Sequence, residues 1–594
     1  MPTLLWKKII VLFTVFLFLF LQTTCKNKNT PPVTAEKLDI LEELVASMTL
    51  AEKIGQMTQA ERQDIIDGDI RKYALGSILS GGGSTPAYNT PGSWVAMING
   101  FVKESLETRL GIPVIYGLDA VHGNSNAANA TIFPHNVGLG AIAAGNIEKG
   151  AAASYTAGLI TAKEMLACGV RWTFAPVLGI AEDVRWGRTY ESYSENADIV
   201  SVMGVNAIKG LQDGGAAACM KHFLGEGQTV NGRNQGNALL DREGIERILP
   251  PYRAAINAGA LSLMPSFSGV NGIKMHQNKE LLTDLLKGEM GFKGFIVSDW
   301  DAISQLTGGN YKAKIARAVN AGVDMVMATN GRNMWMDFIK NLTALVEEGI
   351  VPVSRIDDAV LRILRFKQSI GLLDNPLTNN AGQIGTAENR SKARKIVTES
   401  LVLLRNENNV IAKLPTYKRI LVTGQGANDI GMQCGGWTIT WQGNHGRTTA
   451  GTTILEGIKE AAKDASVTYA QNGKANGIFD AVIAVIGEDP YAETQGDRTD
   501  NINLHMFDID MLKEAYRYNC PVIVIMLSGR PMTIGDEYLN WDAFIAAWLP
   551  GTEGGGIADV LFTDLNFTGR TPYTWRKTIK GEILYPFGYG LTKQ

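Results

Sequence analysis

The fold is most clearly indicated by residues 294–300, which read Gly294-Phe295-Ile296-Val297-Ser298-Asp299-Trp300. Three successive apolar residues, bounded by glycine and followed by an acid, are typical of a strand that is buried on both faces. Similar runs recur from about Leu38 to Leu373, separated by polar loops and helix-like stretches: 76–80, 113–118, 170–176, 216–221, 261–266 and 323–328. Buried strands that alternate with helices imply a parallel sheet, and about eight such units predict a (β/α)8 TIM barrel.

A second α/β domain is predicted after the barrel. The barrel pattern closes with a helix expected over 354–369, with Ser354 as its N-cap, and a polar linker follows over 374–392. Strand-like runs then resume at 419–424, 466–470, 481–487, 521–528 and 543–550. Five or six parallel strands with helices between them predict an open three-layer α/β sandwich. We therefore expect a barrel domain over 35–373 and a sandwich domain over 393–594.

The first 25 residues have the pattern of an export signal. Lys7 and Lys8 precede a short apolar run over 9–21, and Cys25 stands where a bacterial lipoprotein would be cleaved and acylated. Gln22 departs from the usual lipoprotein pattern, so lipid anchoring and simple cleavage both stay open, beside the less favoured uncleaved anchor helix. We expect an exported protein, periplasmic or associated with the outer membrane, that touches a membrane only through a lipid at Cys25.

Charge and cysteine content exclude several classes of partner. Lysine and arginine (56) nearly balance aspartate and glutamate (59), so the net charge of −3 gives no reason to expect a nucleic acid. The remaining cysteines have no metal-binding spacing, and no metal site is predicted. Cys168 and Cys219 lie in apolar surroundings and are expected to be buried.

Polar side chains cluster directly after the barrel runs. Asp119, His122, Lys221, His222 and Asp299 each follow such a run, and the carboxyl ends of barrel strands meet at one mouth. Cleavage of a glycosidic bond needs a carboxylate, and an indole offers a flat apolar face to a sugar ring. An Asp after a strand is also a common helix N-cap, so these residues alone leave catalysis and capping both open.

The ordered motifs of the chain closely resemble glycoside hydrolase family 3, in particular its two-domain exo-β-glucanases and β-glucosidases. The resemblance runs from about Ala35 to Leu591, nearly all of the sequence after the export signal. The segments that carry it are 111–123, 131–136, 185–188, 190–195, 221–223, 271–276, 298–300, 435–443 and 487–497.

The resemblance implies an activity and a set of site residues. Asp299 corresponds to the nucleophile and Glu493 to the general acid/base, and the implied reaction is retaining release of terminal β-D-glucose by double displacement. No cofactor is implied, because two carboxylates and water complete the reaction. The residues implied to bind substrate are Asp119, Arg188, Lys221 and His222 for the terminal glucose, and Trp300 and Trp441 for the next sugar.

Physical reasoning adds two expectations about these carboxyls. Asp299 must be ionised to attack, and the cationic neighbours Lys221, His222 and Arg188 are expected to lower its pKa. Glu493 must start protonated, so a dry loop and a negative neighbour are expected to raise its pKa. The two carboxyls are 194 residues apart in sequence, so the site is expected to assemble only when both domains dock.

Several other acids lie close to the motifs, and some positions depart from the family pattern. Glu488 is the best substitute if Glu493 is not the acid/base, Glu226 is expected to be structural, and Asp301 is expected to cap a helix. Relative to the family pattern, Phe267 stands in place of a tyrosine, and Gln235 and Gln305 replace a glutamate and an arginine. These changes bear on linkage preference and on the shape of the sugar site, not on the reaction.

Three other functions compete with the β-glucosidase hypothesis. A β-N-acetylhexosaminidase would carry a histidine-containing loop where this chain has 225–229. A β-xylosidase is harder to separate by sequence, because pocket size is not legible there. A non-catalytic glycan-binding protein would usually have lost one of the two carboxylates, and this chain has both. The sequence does not decide the linkage of the glucan or the oligomeric state.

Overall fold

The computed structural model describes residues 35–593. The chain divides into two compact units, 1–40 and 41–594, and both sheets described below lie in the second unit. Of the first unit only 35–40 are described, where helix Ala35–Ser47 begins. The expected export signal and Cys25 lie outside the described residues. Within the described part, no helix has the length and apolar character needed to cross a membrane.

Eight parallel strands form a closed barrel, which confirms the first part of the predicted fold. In chain order they are β1 Thr58–Glu61, β2 Ser77–Ser80, β3 Ile115–Leu118, β4 Trp172–Thr173, β5 Ala217–Phe223, β6 Ser262–Pro265, β7 Phe295–Ile296 and β8 Val326–Met327. Their order in the sheet is β7-β6-β5-β4-β3-β2-β1-β8. A parallel bridge between Val297 and Met325 joins the two end strands and closes the ring.

Strand β1 was not among the predicted runs, because its sequence Thr58-Gln59-Ala60-Glu61 is polar. All four residues are nevertheless buried. The Thr58 hydroxyl donates to the carbonyl of Ile54 (2.8 Å), and the Gln59 amide donates to the Ser77 hydroxyl (2.7 Å). Hydrogen bonds to the preceding helix and to the neighbouring strand thus offset the cost of burying these groups.

Helices connect the strands and begin at well-defined caps. Thr49 and Thr453 each form a capping box with a glutamate three residues later, which satisfies two backbone N–H groups at each helix start. The helix predicted over 354–369 spans Val353–Ser369, and its N-cap is Pro352, so the assignment of Ser354 as the cap was wrong. The other helices of four or more residues up to residue 369 are Leu50–Gln56, Asp69–Tyr73, Pro91–Leu106, Asn136–Gly145, Ile147–Ala167, Ala197–Asp213, Arg242–Ile248, Pro250–Asn257, the π-helix Glu280–Glu289, Tyr311–Asn320 and Arg332–Glu347. The α-helices after residue 369 are Ala387–Ser400, Val410–Lys413, Ile430–Cys434, Ile454–Ala461, Met506–Tyr516 and Gly555–Phe562.

A second, six-stranded sheet forms the α/β domain that follows the barrel. Its strands are β9 Val402–Asn406, β10 Arg419–Thr423, β11 Ser466–Ala470, β12 Ala481–Gly487, β13 Val522–Leu527 and β14 Ala543–Trp548, in the order β9-β14-β13-β12-β10-β11. Five strands run parallel as predicted, and the edge strand β9, which the prediction missed, is antiparallel to β14.

The two faces of this sheet bury separate sets of side chains. Along β12, Val482 and Ala484 point to one core, whereas Ile483 and Val485 point to the other, as the two-residue period of a strand requires. The first of these cores also contains barrel residues, among them Trp186. The barrel therefore packs against one face of the second sheet.

Among the described residues, all four cysteines are free thiols. Cys168 and Cys219 are buried, as expected.

Candidate active site

A cavity of about 620 Å³ opens at the carboxyl ends of the barrel strands. Its volume falls within the range typical of ligand sites in proteins. The structure brings all eight of the predicted site residues to its wall: Asp119, Arg188, Lys221, His222, Asp299, Trp300, Trp441 and Glu493. Trp441 and Glu493 come from the second domain, so the cavity has walls from both domains.

Asp299 follows β7 at the barrel mouth and is only 8% exposed. Its backbone N–H donates to His276 Nε2 (3.0 Å), and its Oδ1 accepts a hydrogen bond from the backbone N–H of Trp300 (2.7 Å). Its Oδ2 accepts no hydrogen bond from any described residue and lies 3.6 Å from His222 Nε2. One oxygen is therefore held in place, and the other keeps its lone pairs free.

His222 is backed by a buried glutamate. Glu226 Oε2 lies 2.8 Å from His222 Nδ1, and Glu226 Oε1 accepts from the backbone N–H of His222 (3.2 Å). Burial lowers the pKa of His222 well below its ordinary value and raises the pKa of Glu226 to about 8. The lowered pKa of His222 favours a neutral imidazole, and Glu226 contacts both its ring and its backbone N–H.

Arg188 is fixed by a fork of two hydrogen bonds to one carboxylate. Its Nε and one terminal nitrogen donate to the two oxygens of Glu191 at 2.7 and 2.8 Å. Its other terminal nitrogen lies 3.8 Å from Glu493 Oε1. Glu191 also accepts from Trp437 Nε1 (3.0 Å), so this buried carboxylate ties a barrel arginine to an indole of the second domain. Such bidentate pairs fix orientation as well as charge.

Lys221 forms the second fixed cation of the cavity. Its Nζ lies 2.6 Å from Asp119 Oδ1, and both side chains line the cavity. The same Nζ lies 5.6 Å from the centroid of the Trp437 ring, and so does the Arg188 guanidinium carbon. Trp437 thus contacts both cations and helps to fix their positions in the cavity wall.

Glu493 begins a short 3-10 helix and has a left-handed backbone, with φ of 53°. Burial raises the pKa of its carboxyl, Arg188 opposes this effect, and Glu191 and Asp119 add to it. The direction agrees with the expectation for an acid that must start protonated.

The pKa of Asp299 departs from the expectation. Burial raises it to about 7, the nearby Arg188 opposes this, and the negative charge of Glu493 adds to it. The expected lowering was wrong for two reasons. The desolvation of a buried carboxylate outweighs the cations, and His222 contributes no charge because it is neutral.

Several residues of the cavity wall were not predicted from the sequence. Trp437 lies in the motif 435–443, and the sequence predicted no role for it. In the structure it contacts both Arg188 and Lys221. Glu61 and the glycine loop, residues 81–84, also line the cavity. The signal that could have revealed them is the run of three glycines directly after a strand, since such a run allows close approach of the backbone.

The rival acids are engaged elsewhere. Glu488 accepts from Tyr491 Oη (3.0 Å), from the backbone N–H of Gly529 (3.1 Å) and from the guanidinium of the fully buried Arg530 (2.9 Å). It does not line the cavity. Asp301 accepts from Ser304 and Asn330 in a turn that no helix follows, so its assignment as a helix cap was wrong.

Arg530 links the acid/base loop to the barrel. It donates to Glu488 and to the carbonyl of Gly496 (2.6 Å), and its other terminal nitrogen reaches the barrel carbonyls of Val184, Arg185 and Trp186. One side chain therefore fixes the loop of Glu493 against the segment that leads to Arg188.

Replacing Arg530 by methionine is expected to impair activity without touching a group that contacts substrate. The change leaves Glu488 buried and unpaired, which costs roughly 3–5 kcal/mol of unfolding free energy. Urea unfolding and glucose release would be measured together. Arg517→Met is the matched control, because that arginine is in the same domain with a side chain 73% exposed; its stability should change by less than about 0.5 kcal/mol. Full activity of Arg530→Met would contradict the role in docking.

A barrel mouth with a buried carboxylate, a partly buried second one, fixed cations and two tryptophans defines the class of protein, a glycoside hydrolase. The chain belongs to glycosyl hydrolase family 3: residues 49–366 match its N-terminal domain and residues 401–593 match its C-terminal domain.

Three similar proteins illustrate the relationship. The lysosomal beta glucosidase of Dictyostelium discoideum is 34% identical, over 92% of this chain and 73% of its own. The periplasmic beta-glucosidase of Salmonella typhimurium is 28% identical, over 94% of this chain and 81% of its own. The crystal structure of an exo-1,3/1,4-beta-glucanase from a Pseudoalteromonas species is 36% identical, with a TM-score of 0.88 over 94% of this chain and 74% of that one.

Proposed function

We propose that this chain is a retaining, exo-acting β-glucosidase or exo-β-glucanase that releases terminal non-reducing β-D-glucose. One observation carries the proposal: Asp299 and Glu493 line the same cavity, and one oxygen of Asp299 has no hydrogen-bond donor among the described residues. The first acts as the nucleophile and the second as the general acid/base. The β-glucosidase and exo-β-glucanase relatives support the same substrate class.

The reaction takes two displacements. In the first, an Asp299 oxygen bonds to the anomeric carbon, the bond from that carbon to the leaving oxygen breaks, and Glu493 gives its proton to that oxygen. In the second, water attacks the anomeric carbon while Glu493 takes its proton, and the bond to Asp299 breaks. Glucose then leaves with its original β configuration.

The shape of the cavity supports attack at a chain end. Its wall includes the buried apolar barrel residues Phe174, Met264 and Met327 beside the fixed groups Asp119, Lys221 and Arg188. We infer that these apolar residues form the closed end of the cavity, so that a terminal sugar binds against the fixed groups. Those groups hydrogen-bond its hydroxyls, with His222 as a neutral partner.

The pH dependence follows from the two raised carboxyl pKa values. Asp299 must be ionised, so kcat/KM is expected to fall about tenfold per pH unit below a pKa near 7. Glu493 must be protonated, and because its pKa is also raised, activity persists to higher pH than with an ordinary glutamate. The pair titrates together, and a pH profile of kcat/KM on a disaccharide measures its two apparent values. A maximum at or below about pH 4 would contradict this assignment.

The substrate class is tested by incubating the purified chain with laminaribiose, cellobiose, gentiobiose and a β-xyloside. Sugar release and the first anomer formed are followed by proton NMR. Early β-glucose supports the proposal, and the relative rates identify the linkage. Faster release of xylose would favour the β-xylosidase alternative, and α-glucose as the first product would refute retention. Folded protein that releases no sugar would favour a glycan-binding role.

The same proposal extends to location and domain limits. An exported protein is supported by the basic and apolar start of the sequence and by the periplasmic relative. Whether Cys25 carries a lipid is tested by mass spectrometry of the mature N-terminus. We place the barrel domain at 35–373, the linker at 374–392 and the sandwich domain at 393–594.

A further inference from the structure

The end of strand β1 holds the glycine loop in place. Glu61, the last residue of β1, is buried and accepts hydrogen bonds from the hydroxyl of Ser84 and from the backbone N–H of Gln63 (2.5 Å). The next residue, Arg62, donates to the carbonyl of Thr85 (2.5 Å). Glu61 therefore holds the last residue of the loop, and Arg62, which follows the strand, holds the residue after the loop.

The glycine loop is closed on itself as a tight turn. The backbone N–H of Ser84 donates to the carbonyl of Gly81 (3.0 Å). Gly83 has φ of 91°, a conformation that favours glycine. Because Ser84 is held by Glu61, this turn has a fixed position on the barrel mouth.

Two successive glycines of the loop contact the two tryptophans of the cavity. A Cβ at Gly81 would lie 2.8 Å from Cζ3 and 2.9 Å from Cη2 of Trp300. A Cβ at Gly82 would lie 2.8 Å from both Cα and Cβ of Trp441. The loop thus fills the space between a barrel tryptophan and a second-domain tryptophan, with no room for a methyl group on either side.

Both tryptophans are also held by hydrogen bonds to residues outside the loop, so we expect the loop to set the distance between them. Trp300 Nε1 donates to Asn330 Oδ1 (3.2 Å). The backbone carbonyl of Trp441 accepts from the N–H of Trp437 (2.9 Å). Since Trp441 meets the loop through its Cα, it cannot yield by rotating its side chain alone.

We propose that the glycine loop, positioned by Glu61 through Ser84, determines how tightly the second sugar of the substrate is bound. Glu61 is a positioning residue in this proposal, because it acts through Ser84 and the loop. The inference rests on the proposed function and on the expectation, implied by the family resemblance, that Trp300 and Trp441 bind the second sugar. The terminal glucose binds to other groups, among them Lys221 and Arg188, and is unaffected by the loop.

The test compares binding of one sugar with turnover of two. Ser84→Ala, Glu61→Ala and the double variant remove the anchor, and Gly82→Ala forces Trp441 away from the loop. KM and kcat are measured on laminaribiose, and glucose is used as an inhibitor that needs only the terminal site. Gly92→Ala is the matched control, because a Cβ there would meet no atom within 4 Å.

Each variant other than the control is expected to lower kcat/KM on laminaribiose about tenfold or more, mainly by raising KM. The glucose inhibition constant should change less than twofold. The double variant should have no lower kcat/KM than the poorer single variant, because Ser84→Ala and Glu61→Ala remove the same hydrogen bond between the two residues. Gly92→Ala should match the native chain.

Several outcomes would overturn the inference while the proposed function stands. The first is an unchanged KM in Ser84→Ala or Gly82→Ala. The second is an equal weakening of glucose binding and laminaribiose binding, and the third is an additive loss of kcat/KM in the double variant. Unchanged glucose inhibition reports a folded terminal site, so a variant that fails to fold is recognised. Ser84→Ala, the smallest change, then decides. If the native chain itself does not cleave laminaribiose, the proposed function fails first.

Discussion

Asp299→Asn is expected to lower glucose release from laminaribiose by roughly 10⁴-fold or more, since loss of a nucleophile removes the covalent step. The amide nearly preserves the shape of the side chain but cannot attack the anomeric carbon. Oδ2 has no hydrogen-bond donor among the described residues, so the change breaks no contact there. Steady-state kinetics and glucose binding by calorimetry would be measured on the same preparation.

The matched control is Asp337→Asn, which makes the same change at an exposed position outside the cavity. It should keep native activity. If Asp299→Asn binds glucose and retains more than about 1% of native turnover, Asp299 is not the nucleophile. Glu226 would then be the acid to examine next, because it lies behind His222.

Glu493→Gln is expected to lower kcat/KM on disaccharides by roughly 10²–10⁴-fold, the usual contribution of a general acid. The loss depends on the leaving group: a dinitrophenyl β-glucoside needs no proton to depart, so its first displacement should be nearly normal. Its product then accumulates as a glycosyl-enzyme, because no base activates the water of the second displacement. The expected time course is a burst of dinitrophenol release followed by slow turnover.

Glu488→Gln separates this effect from general damage to the loop. Its carboxylate pairs with Arg530 away from the cavity, so the variant should lose stability but keep the same dependence on the leaving group. If Glu493→Gln slows the dinitrophenyl glucoside and the disaccharide equally, with no burst, Glu493 is not the acid/base.

The apolar runs of the sequence predicted the other strands of both sheets but missed strands β1 and β9. Strand β1 is polar and buried, and its polar groups are satisfied by contacts such as the hydrogen bond of Gln59 with Ser77 across the sheet. Strand β9 is an antiparallel edge, which an apolar run does not distinguish from a parallel strand. Non-local contacts decided both cases, and a scan along the chain does not see them.

The site was predicted in its members but not in its electrostatics. Counting cations around Asp299 gave the wrong direction for its pKa, because burial is a property of the assembled site and is absent from the sequence. The role of Trp437 was missed for a similar reason. Its partners Arg188 and Glu191 lie about 250 residues earlier in the chain, and only docking brings them together.

The division of the site between two domains also sets when the protein becomes active during its synthesis. Asp299 is added to the growing chain 194 residues before Glu493, roughly 10–40 s at the speed of translation. Glu488, Arg530 and strands β13 and β14 must then fold before Glu493 has a fixed position. A nascent chain that has not yet reached Glu493 lacks this carboxylate, so we expect it not to cleave a glycoside. We expect activity to appear only after the second sheet has folded.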